Sequence, residues 1–296
     1  MSRYGRKIGA GIAILLGALL TMYPFISNFL YDRQVDSRVD GYLEEVLQVE
    51  EEELARCLEA AQTYNRSLSA AGVRVIDPFD DASTDGAAEY EDLLSMDDSG
   101  IMGFLEIPKI DVYLPIYHGT GEAVLQKGIG HIEGTSLPVG GESTHTVLSG
   151  HTGINASKML TDLTDLEEGD IFLLHVLGET LAYQVCRVQV VLPERTDVLE
   201  IETGRDLASL LTCTPYGINS HRLVVTGERI PYTEEVQEML DQEESAGTSL
   251  WQSSYLKALG MGIVCMMILF ALVWVIQRVR RKRRRSGKKT AGKQKA

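Results

Sequence analysis

Cys213 and Arg222 stand nine residues apart, at the two ends of a segment punctuated by Pro215, Gly217 and Asn219. The apolar pair Leu210-Leu211 precedes the cysteine, and Leu223-Val224-Val225 follows the arginine. Such runs favour strands, and the residues between them favour a turn. Two adjacent strands joined by that loop bring a thiol beside a guanidinium. The fixed positive charge favours the thiolate, which is the nucleophilic form. It also offers a partner to the oxyanion formed when sulfur attacks a carbonyl. What the pair lacks is a proton carrier. Six histidines are available, at 118, 131, 145, 151, 175 and 221, and a lone histidine in a strand or loop is ordinarily structural. His151 differs in setting: it follows Val147-Leu148 through Ser149-Gly150, and Gly153 comes soon after. An imidazole at a strand end, in a glycine-flanked loop, can give a proton to a leaving amine and later take one from an incoming nucleophile. His145 enters the same apolar run from its other end and is the rival. His221 adjoins Arg222, so in a strand the two point to opposite faces.

The elements that must position these groups begin near Ile101. From there the chain shows short alternating runs separated by Gly and Pro: 101–107, 112–117, 146–149, 171–176, 181–191, 207–212 and 223–230. Their spacing predicts a mainly β domain, a closed barrel or a sandwich, with short helical connectors near 120–128 and 160–166. Upstream, Val35, Val39, Tyr42, Val46, Leu54 and Leu58 recur largely every three or four residues between acids. That pattern predicts a helix over about 32–69 that serves as a stalk or packing element. Asp77-Pro78-Phe79 interrupts a polar stretch whose composition is that of a linker. Residues 232–254 form an acidic and helical spacer.

Charge is sharply segregated. The net charge is −14, yet the last twenty residues carry eleven Lys or Arg and no acid, and Arg3, Arg6 and Lys7 open the chain. All 42 acids fall between Tyr31 and Leu256, against 13 basic residues there. A segment this acidic lacks the clustered cations that nucleic-acid binding needs. Two apolar runs lie next to the basic ends, 8–30 and 255–276, each long enough to span a bilayer. A cleaved signal peptide competes for the first, but no small-residue cleavage site follows it, which favours a retained anchor. Basic flanks at both ends predict that residues 1–7 and 277–296 are cytoplasmic and the acidic domain external. Four cysteines, at 57, 186, 213 and 265, form no CxxC pair and no disulfide framework. Cys186 lies in an alternating run and is expected to be a buried core thiol. No carboxylate loop has EF-hand spacing, so neither a metal nor a cofactor is expected.

The block Ser209-Leu210-Leu211-Thr212-Cys213, with Arg222 following, resembles the Thr-Leu-x-Thr-Cys…Arg motif of sortases, the membrane-bound transpeptidases of Gram-positive bacteria. Only its first position departs, Ser for Thr. Ser149-Gly150-His151 is similar to the segment that holds the sortase histidine. The stretches Tyr117-His118-Gly119-Thr120, Gly130 to Pro138 and Cys213 to Asn219, with two membrane spans, resemble the class C, pilin-polymerising group. The likeness is dense from Ile101 to Ile230. It implies an eight-stranded sortase-type β-barrel over 101–231, with Cys213 as nucleophile, His151 as general acid and base, and Arg222 stabilising oxyanion and substrate. Leu211, Thr212 and Tyr216 become candidate substrate contacts. The resemblance also changes the expectation for 31–100, where Asp77, Pro78 and Phe79 match a class C lid motif: Asp77 would face Arg222 and Phe79 would cover Cys213. The implied partners are pilin subunits bearing Leu-Pro-x-Thr-Gly-like sorting signals, the acceptor lysine of another pilin, and membrane lipid. Alternatives are attachment of surface proteins to a cell-wall precursor, and a non-catalytic scaffold that binds sorting signals.

Overall fold

The computed structural model describes residues 3–71, 88–96, 99–154, 157–246, 257, 259–264 and 267. The chain divides into two compact units, Met1–Gly247 and Thr248–Ala296. In the second, residues 259–264 are helical. The lid motif at 77–79 and most of the apolar run 255–276 lie outside the described residues.

The first unit is built on ten strands: β1 (Ile101–Ile107), β2 (Val112–His118), β3 (Ile129–His131), β4 (Thr144–Ser149), β5 (Thr152–Ile154), β6 (Ser157–Met159), β7 (Ile171–Val176), β8 (Glu179–Val191), β9 (Asp206–Thr214) and β10 (His221–Ile230). Eight of them close a barrel in the order β1-β2-β3-β4-β9-β10-β8-β7, while β5 and β6 pair as a separate hairpin. This is the eight-stranded barrel that the resemblance implied, and it decides between the barrel and the sandwich that the seven alternating runs left open. Closure leaves the inward residues of every strand to fill the interior. Leu105, Ile116, Ile129, Leu148, Phe172, Leu174, Tyr183, Leu210 and Val225 do so, and all are buried in one cluster. A second cluster, Ile132, Val147, Leu199, Leu211 and Val224, covers the outer face of β4, β9 and β10. Hence β4 and β9 bury apolar side chains on both faces, Val147 and Leu148 on β4 and Leu210 and Leu211 on β9.

Three strands were not legible. β3, β5 and β6 have three residues each, too few to show any alternation. Cys186 also departs from expectation: it is half-buried, its Sγ lying 3.4 Å from the Thr226 carbonyl and 3.7 Å from Arg205. The reason is topological. The last residue of β8 opposite β7 is Gln184, whereas its pairing with β10 runs on to Val191, so this end of β8 is more open.

Upstream helices buttress the barrel. The helix α1 (Arg3–Gln48) is followed after a two-residue break by α2 (Glu51–Ala71), where the sequence suggested one helix from about 32. Val35, Val39, Tyr42 and Val46 occupy one helical face and are buried in the barrel cluster. The Tyr42 hydroxyl donates to the Met102 carbonyl (3.1 Å) and accepts from the Leu177 amide (2.9 Å). From α2, buried Asn65 donates to the Leu137 carbonyl (3.1 Å) and accepts from the Leu137 amide (2.7 Å). The segment is therefore a packing element. Among the described residues no helix is long and apolar enough to cross a membrane. Two short helices complete this part, α3 (Ala88–Glu91) and α4 (Glu122–Leu125), and α5 (Glu234–Ala246) follows the last strand as the acidic spacer was expected to.

Candidate active site

Strands β9 and β10 run antiparallel, with Cys213 directly opposite Arg222. Directly opposed residues share a face and hold their Cβ atoms roughly 4.5–5.5 Å apart. Both are 7% exposed, so little of either residue meets bulk water. The turn between them holds the guanidinium: Arg222 donates through one nitrogen to the carbonyls of Asn219 (3.1 Å) and His221 (3.3 Å). Gly217 and Asn219 take positive φ there, +74° and +58°, and the Asn219 amide closes on the Pro215 carbonyl at 3.0 Å. Asparagine and glycine are the residues that tolerate this backbone. The loop residues singled out in the sequence thus shape the arginine's seat.

The histidine arrives from the other side of β9. Strand β4 runs parallel to β9, its last pair being Ser149 with Leu211. Beyond that pair the Gly150 amide donates to the Leu211 carbonyl (3.0 Å), and the Thr212 hydroxyl donates to the Gly150 carbonyl (2.7 Å). Thr152 Oγ1 lies 2.8 Å from Thr212 Oγ1 and hydrogen-bonds the Cys213 carbonyl. His151 is therefore bracketed by two residues bonded to the cysteine's own strand. A Cβ on Gly150 would meet Ile129 Cδ1 at 2.7 Å and Leu160 Cδ1 at 2.9 Å, so glycine is what lets this loop lie close. His151 is half-buried; its carbonyl accepts from the Leu160 amide (3.2 Å), and its Nε2 lies 3.5 Å from Glu122 Oε2.

The other histidines have structural partners. His145 is paired with Leu207, six residues before Cys213 on β9, which at roughly 3.3 Å per residue puts it about 20 Å away. It is fully buried, with Nδ1 2.8 Å from the Glu200 carbonyl and Nε2 2.7 Å from Ser209 Oγ, and burial lowers its pKa. The rival is excluded by register. His131 lies 2.7 Å from Tyr90 Oη and 2.9 Å from the Ser136 carbonyl, and burial pulls its pKa down to about 4. His118 contacts the Leu93 carbonyl (2.6 Å), and His175 lies between Glu106 (2.8 Å) and Thr180 (3.0 Å). His221 opposes Thr214, one register from Arg222, and contacts Ser220 Oγ (2.9 Å).

Of the candidate substrate contacts, Leu211 and Thr212 are buried, the first in the outer apolar cluster and the second in the bonds to the histidine loop. Their contacts are internal ones that hold Cys213 in place. Tyr216 is 71% exposed on the loop after the cysteine. Asp77, Pro78 and Phe79 lie outside the described residues. Thr152 was missed in the sequence although it adjoins His151. Glu122 was missed too, and nothing in its spacing marks it. Among the described residues no group of three or more His, Cys, Asp or Glu is placed to hold a metal.

This arrangement suits covalent acyl transfer. A thiol opposite a fixed cation can attack a carbonyl, the cation can stabilise the resulting oxyanion, and an imidazole on a loop bonded to the same strand can move the proton. The comparisons agree. The family model described as Sortase domain matches residues 105–230. The fold resembles a sortase C of Streptococcus pneumoniae, studied for catalysis and pilin substrate specificity, with 44% identity, a TM-score of 0.63, and coverage of 67% of this chain and 98% of that one. Sortase C-1 of Actinomyces oris is 47% identical with a TM-score of 0.57, covering 60% and 99% of the two chains. Sortase D of Bacillus subtilis is 30% identical over 131 residues; the match takes in 43% of this chain and 63% of that protein's length.

Proposed function

The chain belongs to the sortase family of cysteine transpeptidases, and from that premise we propose that it polymerises pilins as a class C enzyme. The observation that carries the reading is the register placing Cys213 opposite Arg222, with the His151 loop bonded to the same strand. In the first half-reaction the Cys213 thiolate attacks the threonine carbonyl of a Leu-Pro-x-Thr-Gly-like signal. The oxyanion forms beside Arg222, and protonated His151 gives its proton to the departing glycine amine, leaving a thioester. In the second, neutral His151 takes a proton from a lysine ε-amine of another pilin as that amine attacks the thioester. An isopeptide bond forms, and the cysteine returns as thiolate. One amide is exchanged for another, so no nucleotide is consumed. When water resolves the thioester instead, the net reaction is hydrolysis.

Polymerisation is preferred to cell-wall attachment because the sortase C neighbours are 44% and 47% identical over nearly their whole length. We also assign Asp77-Pro78-Phe79 to a lid, by family resemblance, and the runs 8–30 and 255–276 to membrane anchors that leave the barrel external and both termini cytoplasmic. The deciding experiment incubates the full-length chain with a Leu-Pro-x-Thr-Gly peptide and reads intact mass. An acyl adduct that vanishes in Cys213→Ala is expected, followed by covalent pilin multimers once a lysine-bearing pilin is added. Adduct without multimers, and transfer to a cell-wall amine instead, would replace polymerisation by anchoring. No adduct with any pilin-derived signal would leave the scaffold.

A further inference from the structure

Glu122 plays no part in the reaction just described, yet one of its oxygens lies 3.5 Å from His151 Nε2. The carboxylate is held from both ends. Its other oxygen accepts from Gln126 Nε2 at 2.7 Å, one helical turn on. Its backbone is fixed because the Val124 and Leu125 amides close on the Gly121 carbonyl at 2.8 and 3.0 Å, and Leu125 is buried. The imidazole is held independently, by the bonds that tie Gly150, His151 and Thr152 to Leu160 and to β9. Two separately anchored elements thus bring the two groups together.

The charges on the adjoining elements give the approach a purpose. Arg222 on β10 and the ionisable Cys213 on β9 share one face, and among the described residues Glu122 is the carboxylate in contact with His151 from α4. A guanidinium that favours the thiolate also disfavours a second cation nearby. The imidazole must nevertheless carry a proton when the leaving amine departs. A carboxylate beyond the ring offsets that repulsion and selects the ring orientation, much as a buried acid does in other nucleophile–histidine pairs. We propose that Glu122 is a positioning residue for His151, orienting the imidazole and pairing with it when the ring carries the proton; this rests on the sortase reading above. Glu122 is 69% exposed and His151 23%, so the effect is that of a solvent-screened pair.

The test compares the full-length chain with Glu122→Gln and Glu122→Asp, following kcat/KM for cleavage of a Leu-Pro-x-Thr-Gly peptide against pH. For Glu122→Gln we expect a loss of about three- to tenfold at neutral pH and a pH profile that no longer superimposes on that of the unaltered chain. The difference shrinks between about 0.05 M and about 0.5 M salt, and Glu122→Asp recovers part of it. In parallel, the His151 ring is titrated by NMR in Cys213→Ala with and without Glu122→Gln, expecting the two titrations to differ without any turnover. Superimposable pH profiles and ring titrations overturn the proposal while leaving the sortase reading intact. Failure of the unaltered chain to form a Cys213 thioester overturns that reading instead, and the ring titration still decides whether Glu122 acts on His151.

Discussion

Arg222 presents its guanidinium from a strand register and a turn, so both charge and planar geometry matter. Arg222→Lys keeps the charge but loses the planar guanidinium, in which one nitrogen is held by the Asn219 and His221 carbonyls while the others can face the oxyanion. We expect it to lower kcat/KM by about 10²-fold or more, measured with the sorting-signal peptide, with little change in thermal stability. A rate within a few-fold of the parent would remove the oxyanion role. His131 has a different meaning. Its Nε2 faces the Ser136 carbonyl, which can only accept, so that nitrogen carries the hydrogen and Nδ1 accepts from Tyr90. With its pKa near 4 in the fold and about 6.5 when unfolded, the unfolded chain binds the proton first as pH falls. Stability is therefore full above about pH 6.5, declines toward pH 4, and loses on the order of 3 kcal/mol from this group. Urea unfolding between those pH values should show that slope, and a shallower one in His131→Asn; equal slopes would refute the assignment. At this scale Cys213 and Arg222 were legible because a short turn joins them. His151 was preferred to His145 for its glycine-flanked strand end and by the resemblance, and the parallel register of β4 with β9 supplies the physical reason, carrying His145 away from the cysteine.

At the scale of elements, α2 and β4 act through backbone contacts that no motif announces. Asn65 satisfies both polar groups of Leu137 at a buried site, and removing it strands a donor and an acceptor together. Asn65→Ala is expected to cost roughly 2–4 kcal/mol, read as a lower melting temperature, with the Cys213 adduct still forming below the transition. A melting temperature unchanged from the parent would mean water replaces the side chain. The helical face Val35-Val39-Tyr42-Val46 was readable from its period; that it lies against the barrel was not, because amphipathicity names a buried face without its partner. The strands were readable where a run of at least four residues carried the pattern, as 146–149 did for β4. β3, β5 and β6 arise from tertiary pairing of segments too short to carry a pattern.

For the whole molecule, the segregation of charge makes the strongest prediction. If both basic ends are cytoplasmic, a cysteine introduced at Lys293 should resist a membrane-impermeant maleimide in intact cells, while one introduced at exposed Glu194 is labelled, each in a background with Cys57, Cys186, Cys213 and Cys265 replaced by Ala. Labelling at position 293 without permeabilisation would invert the topology. One feature of the barrel reaches further. The histidine loop ends β4, the cysteine ends β9, and the arginine opens β10; β4 and β9 are parallel neighbours separated by more than fifty residues of chain. No local fragment contains the site, and loop-closure entropy has to be overcome before its members meet. A chain still folding therefore has no guanidinium opposite its thiol until its last barrel strand is in place. Assembly of the domain itself serves as the safety catch on a reactive cysteine, and an enzyme truncated or misfolded ahead of Arg222 is silent rather than promiscuous.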